Sequence, residues 1–235
     1  MEPTKEVVSP PRGELQLEQQ EVKLRNGESV TFESFRINRM RLFHGSRVHG
    51  IQEFNDADET TIGDGVYLTS NKEAAYGYSI VRSVTKDDQP SIYEVEISNL
   101  NILNLTTKSG VDAFAKRFRE KLFDYLRSVK IDHEKIMDKD RNEMHKNLGK
   151  LRVMDLIEEI DKQSYARGLK NITFGVGHFV REMLGEMGYD GLLALEGGEG
   201  GNGVLVGDHD SYVIFDPTKV TIVEQQQFAS RIDPK

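Results

Sequence analysis

Short runs of apolar residues predict several strands in the first half of the chain. The runs 22–24 and 30–32 flank Asn26-Gly27, a dipeptide that strongly favours a β-hairpin turn. Residues 1–19 are polar and show no periodicity, so they are interpreted as a flexible tail before a compact domain of residues 20–235. Further strands are predicted at residues 39–44, 65–69 and 92–97, the last with one solvated face.

Apolar residues at three- and four-residue spacing predict helices between and after these strands. Ser70 is the predicted N-cap of the first helix, and Glu73 completes a capping box with it. A second amphipathic helix opens a polar stretch, residues 109–169, which we interpret as a helical insertion packed against the sheet. The apolar positions within 179–187 predict another helix, and Gly188 lies where a C-terminal cap glycine belongs.

The last third of the chain returns to a strand-like pattern. Residues 197–203 form a glycine-rich segment that lacks the lysine of a phosphate-binding loop, so we interpret it as a flexible surface loop. Asp208, His209 and Asp210 are interpreted as turn residues that enter a strand. Strands are predicted at residues 192–195, 204–206, 212–215 and 220–223, and the whole pattern predicts an α+β fold.

Composition narrows the function classes. The 235 residues are long enough to bury a substantial core, and the absence of cysteine excludes disulfides, thiolate zinc sites and cysteine nucleophiles. No cluster of metal-ligating residues elsewhere in the sequence supports a metal site, so we expect no metal. The net charge of -8 argues against a broad nucleic-acid-binding face. Because no apolar run is long enough for a membrane span and no signal peptide is evident, we expect a cytoplasmic protein without a membrane partner.

Three short segments carry the candidate chemistry. They are residues 42–46 (LFHGS), residues 65–69 (GVYLT) and residues 211–217 (SYVIFDP). Each segment is of low specificity when taken alone. Their order is more specific, because a helix that carries Tyr76 follows the second segment.

This ordered set resembles the NAD-binding core of the His-Tyr-Glu class of ADP-ribosyltransferases, which includes the poly(ADP-ribose) polymerases and the diphtheria-toxin-like enzymes. It is similar in particular to small bacterial and phage-borne members. The resemblance implies two small sheets around an NAD cleft, with the helical region as an insertion. It implies NAD as co-substrate, no metal, and transfer of ADP-ribose to a macromolecular acceptor, protein or nucleic acid. By analogy it also implies a toxin or phage–host conflict role with a neutralising partner.

The resemblance also implies roles for individual residues. His44 would hydrogen-bond the ribose of NAD, and Gly45 would offer its backbone groups to the nicotinamide carboxamide. Tyr67 and Tyr76 would stack on the two faces of the nicotinamide ring. Ser46 lies in the same turn as His44 and would contact the nucleotide.

The glutamate of the family would fall at Ser211. A serine supplies no negative charge beside a developing cation, and loss of such a stabiliser costs on the order of 10²–10³ in rate. Asp210 is the nearest substitute, but adjacent strand residues point to opposite faces, so Asp210 could serve only from a loop. Glu196 and Glu199, at the glycine-rich loop, are less direct candidates.

Three hypotheses about Ser211 stay open. The chain is a mono-ADP-ribosyltransferase whose carboxylate comes from elsewhere or from the acceptor, an enzyme that carries an inactivating substitution, or a pseudoenzyme that binds NAD or ADP-ribose. An NAD glycohydrolase is the enzymatic alternative to transfer. Synthesis of poly(ADP-ribose) is disfavoured because chain extension in the family relies on the glutamate. We expect the first of these hypotheses to hold.

Overall fold

A computed structural model describes residues 15–55, 64–81, 88–128, 176–199 and 205–228. Among these residues, no helix is long and apolar enough to cross a membrane. In chain order the elements are β1 (Leu15–Lys23), β2 (Ser29–Ser46), β3 (Val66–Leu68), α1 (Lys72–Val81), β4 (Ser91–Asn104), α2 (Lys108–Ser128), α3 (Val176–Glu186), β5 (Gly191–Glu199), β6 (Leu205–Ile214) and β7 (Val220–Gln227).

The strands follow one hydrogen-bonded path, β1-β2-β4-β5-β6-β3, and β7 pairs with β4. Every pairing is antiparallel except that of β4 with β5. A backbone bridge between Phe43 and Thr69 also joins β2 to β3, so the path curls back onto its second strand. The fold is therefore mixed α/β with a strand-rich sheet. The two separate sheets implied by the resemblance are joined into one in the described residues, because β4 pairs with both halves.

Buried apolar residues lie on both faces of this curled sheet. The register places Leu42 opposite Val95 and Leu68 opposite Tyr212, and these four side chains belong to one core cluster on the inner face. The outer face is covered by helices. Its cluster contains Phe32 of β2, apolar residues of α2 and α3, and strand residues that alternate with those of the inner cluster, such as Leu192 and Val213.

The N-terminal hairpin is confirmed, but it is longer than predicted. Gly27 adopts φ +84° in the turn between β1 and β2, as a glycine does without strain. β1 begins at Leu15, so residues 15–19, which the sequence pattern assigned to the tail, are paired with β2. The prediction was wrong there because the glutamine and glutamate residues between Leu15, Leu17 and Val22 conceal an edge strand.

The C-terminal strands are also longer than predicted. Asp208, His209 and Asp210 were interpreted as turn residues, but they lie inside the continuous strand β6. Glu196 of β5 pairs with His209, so a partner strand supplies the ladder that the local sequence does not favour. The glycine-rich loop predicted at residues 197–203 begins further along the chain than predicted, because β5 extends to Glu199. Residues 200–204 lie outside the described residues.

The predicted helical insertion is described only at its start. Helix α2 confirms an amphipathic helix, and Phe114 and Phe118 are buried in the outer cluster. Thr107 serves as its N-cap, because its Oγ1 accepts a hydrogen bond from the backbone N–H of Gly110. The rest of the insertion, residues 129–169, lies outside the described residues.

The ends of α1 and α3 test the predicted helix signals. The predicted cap glycine is confirmed, since Gly188 follows α3 with φ +85°. The predicted N-cap of α1 is wrong: Asn71 Oδ1 accepts from the backbone N–H groups of Glu73 and Ala74, at 2.9 and 3.1 Å. The backbone N–H of Ser70 donates to Asp210 instead. Asn71 therefore satisfies the free donors of the first turn.

Replacing the cap separates the two assignments. We expect Asn71→Ala to lower the free energy of unfolding by about 1 kcal/mol, because two backbone donors lose their acceptor. Ser70→Ala is the matched control and should change stability by less than about 0.5 kcal/mol, as surface substitutions usually do. Urea denaturation of both variants measures this. A larger loss in Ser70→Ala than in Asn71→Ala would restore the capping box.

Tyr189 ties the N-terminal hairpin to the turn after α3. Its side chain is only 4% exposed, its hydroxyl donates to Gln20 Oε1 at 2.9 Å, and its ring lies 6.5 Å from that of Phe32. Burial, followed by the negative charge of Glu18, raises the pKa of Tyr189 to about 12. The folded protein therefore holds the phenol proton more tightly than the unfolded chain, in which tyrosine titrates near pH 10.

This difference predicts an alkaline loss of stability. Below pH 10 both states keep the proton and the contribution is complete. Between pH 10 and pH 12 only the unfolded state releases the proton, so the free energy of unfolding falls by on the order of 2 kcal/mol. Tyr189→Phe removes the titration, and its stability should fall less steeply over that range. Parallel slopes for the two proteins in urea denaturation at pH 9 to 12 would contradict this account.

Candidate functional site

The three segments singled out in the sequence lie on neighbouring strands. Phe43 and Thr69 exchange two backbone hydrogen bonds, with N–O distances of 2.8 and 2.9 Å, and these join the end of β2 to the end of β3. Tyr67 of β3 then pairs with Val213 of β6. The fold therefore brings together residues 42–46, 65–69 and 211–217 at one place in the sheet.

His44 is held by the backbone of the second segment. Its Nδ1 lies 2.8 Å from the carbonyl oxygen of Tyr67. Because a carbonyl only accepts, Nδ1 must carry the proton in this contact. The ring also packs edge-on against Phe54, with 4.8 Å between centroids, and lies 6.3 Å from the ring of Tyr93. These contacts fix both the tautomer and the orientation of His44.

Gly45 lies where two elements leave no room for a side chain. A Cβ atom at this position would lie 1.8 Å from the carbonyl oxygen of Ala75 in α1, so the helix backbone rests directly on the strand. Alternate residues of a strand direct their N–H and C=O groups to the same side. Those of Phe43 bond Thr69, so those of Gly45 point toward β3 as well, beside the carbonyl of Tyr67 that is taken by His44.

The remaining predicted ligand contacts are placed around this point. Tyr67 is partly buried against the outer cluster, and Tyr76 of α1 contacts Phe228 edge-on at 4.8 Å between centroids. Ser46, predicted to lie in a turn, is instead the last residue of β2, where it pairs with Ser91, and its Oγ accepts from the N–H of Val48 at 3.1 Å. Stacking of the two tyrosines on one ring, and a contact of Ser46 with a nucleotide, stay predictions.

Asp210 and Ser211 point to opposite faces of β6. Ser211 is 3% exposed and pairs with Ala194 on the outer face. Asp210 Oδ1 accepts from Thr69 Oγ1 and from the N–H of Ser70, both at 3.1 Å. Asp210 is thus an anchor for the start of α1. The condition under which it could replace the glutamate, a position in a loop, is not met, because it lies within β6.

The charge of Asp210 is felt by its neighbour on the same face. Tyr212 lies two residues further along β6, and burial together with the carboxylate of Asp210 raises the pKa of the Tyr212 phenol above its usual range. Tyr212 therefore stays neutral on the inner face of the sheet. The inner side of β6 holds one anchored carboxylate and a protonated tyrosine.

The sequence analysis missed a polar cluster on the outer face. The sequence pattern assigned His209 to a turn, but its side chain is 0% exposed and contacts Tyr78 and Glu196. Treating residues 205–214 as one strand would have found it, since His209 then shares a face with Ser211. Within the described ranges, no group of three or more His, Asp or Glu side chains is arranged to hold a metal ion.

Comparisons with known proteins add little to this geometry. No protein-family model matches the chain, and no curated protein matches its sequence. One solved structure is similar, a chain of the M. tuberculosis MbcT–MbcA toxin–antitoxin complex, with 11% identity, coverage of 82% of this chain and 85% of that chain, and a TM-score of 0.37. A TM-score of this size does not establish a common fold.

The contact between Gly45 and α1 makes a sharp prediction. We expect Gly45→Ala to lower the free energy of unfolding by about 1–3 kcal/mol, because its methyl group overlaps the backbone of Ala75. Gly185→Ala is the control, since a Cβ there meets no atom within 4 Å. That substitution should leave stability unchanged or raise it slightly, as alanine is the better helix former. Equal unfolding midpoints for the two variants would show that α1 does not rest on Gly45.

Proposed function

We propose that this chain is a mono-ADP-ribosyltransferase, which moves ADP-ribose from NAD to a macromolecular acceptor and releases nicotinamide. The site that would bind NAD lies at the ends of β2 and β3, under α1. The acceptor is a protein or a nucleic acid. A toxin role with a neutralising partner belongs to the same proposal and derives from the resemblance of the three segments alone.

The observation that carries the proposal is that β2 and β3 separate beyond the bridge between Phe43 and Thr69. His44 takes the carbonyl of Tyr67, and the backbone groups of Gly45 point into the space beside it. A paired N–H and C=O on one glycine match the acceptor and donor of a carboxamide such as that of nicotinamide. The other ring nitrogen of His44, Nε2, would then bond a ribose hydroxyl.

A second candidate function is binding of NAD or ADP-ribose without turnover. The observation that favours it is the neutral side chain at Ser211, together with the engagement of Asp210 at the start of α1. A site that holds NAD but lacks a carboxylate near the ribose would stabilise the ground state and not the transition state. An NAD glycohydrolase, in which water replaces the acceptor, is the other enzymatic candidate.

Release of nicotinamide from NAD tests the proposed function. We expect the purified chain to release nicotinamide in the presence of a cell lysate and to label an acceptor there. Equal release with and without lysate would favour a glycohydrolase. No release under either condition, with NAD binding observed by calorimetry, would favour the binding function and overturn the proposed reaction.

Substitution of His44 tests whether the proposed site carries the activity. His44→Phe keeps an aromatic ring against Phe54 but removes the nitrogen that would hold the ribose, so we expect nicotinamide release to fall about tenfold or more. The matched control is His178→Phe on α3, since the His178 side chain is 57% exposed. The control should keep the full rate. Unchanged release by His44→Phe would place the activity elsewhere.

A further inference from the structure

A buried polar cluster lies on the outer face of the sheet, beneath α1. It consists of Tyr78 of α1, Glu196 of β5 and His209 of β6. The hydroxyl of Tyr78 donates to Glu196 Oε2 at 3.1 Å and lies 3.2 Å from His209 Nε2. His209 Nε2 is 3.8 Å from Glu196 Oε2. Three polar side chains from three elements therefore meet on this face of the sheet.

The strand register places this cluster beside Ser211. Ala194 pairs with Ser211, and Glu196 pairs with His209 two residues along. Residues of alternate positions share a face, so Glu196 is a diagonal cross-strand neighbour of Ser211, and such neighbours typically lie about 7–8 Å apart. The register also shifts directly after Glu196, and such bulges occur beside active sites, where they redirect a side chain.

The hydrogen bonds of this cluster position the carboxyl group of Glu196. Because the hydroxyl of Tyr78 gives its proton to Glu196, its oxygen is the acceptor for the Nε2–H of His209. The hydrogen bond from Tyr78 reaches Oε2 of Glu196, and His209 Nε2 lies 3.8 Å from the same oxygen. The side chain of Glu196 is 12% exposed, so the hydrogen bonds from His209 through Tyr78 hold its carboxyl group in a place with little solvent around it.

The helix connects the cluster to Gly45. Tyr78 is three residues after Ala75, so both face the sheet on neighbouring turns of α1, and the Ala75 carbonyl is the group that rests on Gly45. Glu196 thus lies on the same face of the sheet, and under the same helix, as the glycine of the candidate site. Asp210 lies on the opposite face.

We propose that Glu196 supplies the carboxylate that stabilises the cationic ribose in the reaction of this chain, and that Tyr78 and His209 position it. This inference rests on the proposed function. It assigns the negative charge to a neighbouring strand, next to the position that Ser211 occupies.

The chemistry explains why the site needs that charge. The bond between ribose C1′ and the nicotinamide nitrogen breaks, both electrons stay with the nitrogen, and neutral nicotinamide leaves. The positive charge of the pyridinium passes to C1′ and the ring oxygen of the ribose. A lone pair of the acceptor then forms the new bond to C1′, and the acceptor loses its proton to solvent. A preorganised anion beside C1′ lowers the barrier to the first step.

Substitution of Glu196 in the full chain tests the inference with NAD as the probe. We expect Glu196→Gln, which keeps the shape but removes the charge, to release nicotinamide about 100-fold more slowly than the wild-type chain. Its dissociation constant for NAD, measured by calorimetry, should stay within about threefold, because the charge acts on the transition state. Glu196→Asp keeps the charge and should recover part of the rate.

Two further variants separate catalysis from packing. Glu96→Gln removes a carboxylate that pairs with Arg39 at 2.6 Å, and it should keep the wild-type rate. Tyr78→Phe keeps the ring but releases Oε2, and it should lower kcat for nicotinamide release while KM for NAD stays unchanged. If Glu196→Gln does not fold, Glu196→Asp and Tyr78→Phe decide, and full activity of both overturns the inference.

The failures of the two proposals are distinguishable. Turnover by the wild-type chain together with a Glu196→Gln rate within threefold of it would overturn the role of Glu196 and leave the proposed function standing. No turnover by the wild-type chain, with or without lysate, would overturn both. A lower thermal midpoint of Glu196→Gln with an unchanged rate would show that the cluster serves only to hold α1 on the sheet.

Discussion

Two backbone hydrogen bonds between Phe43 and Thr69 are the contact on which the candidate site depends. β3 has three residues and pairs with β6, and that pairing does not fix the position of β3 relative to β2. The bridge does so, and it closes the curl of the sheet. The pairing of β2 with β3 ends after this one residue pair, because the imidazole of His44 donates to the next carbonyl oxygen, that of Tyr67. A site at the point where two strands separate has backbone groups that face a ligand instead of a partner strand.

Helix α1 is positioned by the same junction. It begins directly after β3, and Asp210 holds the residues that precede it through Thr69 and the N–H of Ser70. Further along, Tyr78 contacts the buried pair of Glu196 and His209. Burying a carboxylate is costly unless it is hydrogen-bonded, and the carboxylates of Asp210 and Glu196 both accept hydrogen bonds. Asp210 on the inner face of β6, and His209 with Glu196 on the outer face, thus hold the two ends of this helix. The helix in turn covers Gly45.

The two carboxylates near the site have different consequences because a strand alternates its side chains. Asp210 adjoins Ser211 in sequence but faces the inner cluster, where burial and then the charge of Asp210 raise the pKa of Tyr212. Glu196 is distant from Ser211 in sequence but shares its face through the pairing of β5 with β6. Along the chain Asp210 is the carboxylate nearest to Ser211, whereas in the sheet Glu196 is the carboxylate that shares a face with it. For a group that must act on a cation under α1, position in the sheet is decisive.

By itself the sequence determined the local elements and the segments that carry chemistry: the Asn26-Gly27 hairpin, the strands around His44 and Tyr67, the amphipathic start of α2 and the cap at Gly188. Each depends on propensity, periodicity or φ over a few residues. Only the tertiary structure decided that Leu15 begins a paired strand, that Asn71 caps α1, and that His209 belongs inside β6. These depend on partners far away in the chain, whose hydrogen bonds and burial outweigh local preference. The position of Glu196 beside Ser211 is of the same kind, because a cross-strand neighbour exists only once the register of two strands is set.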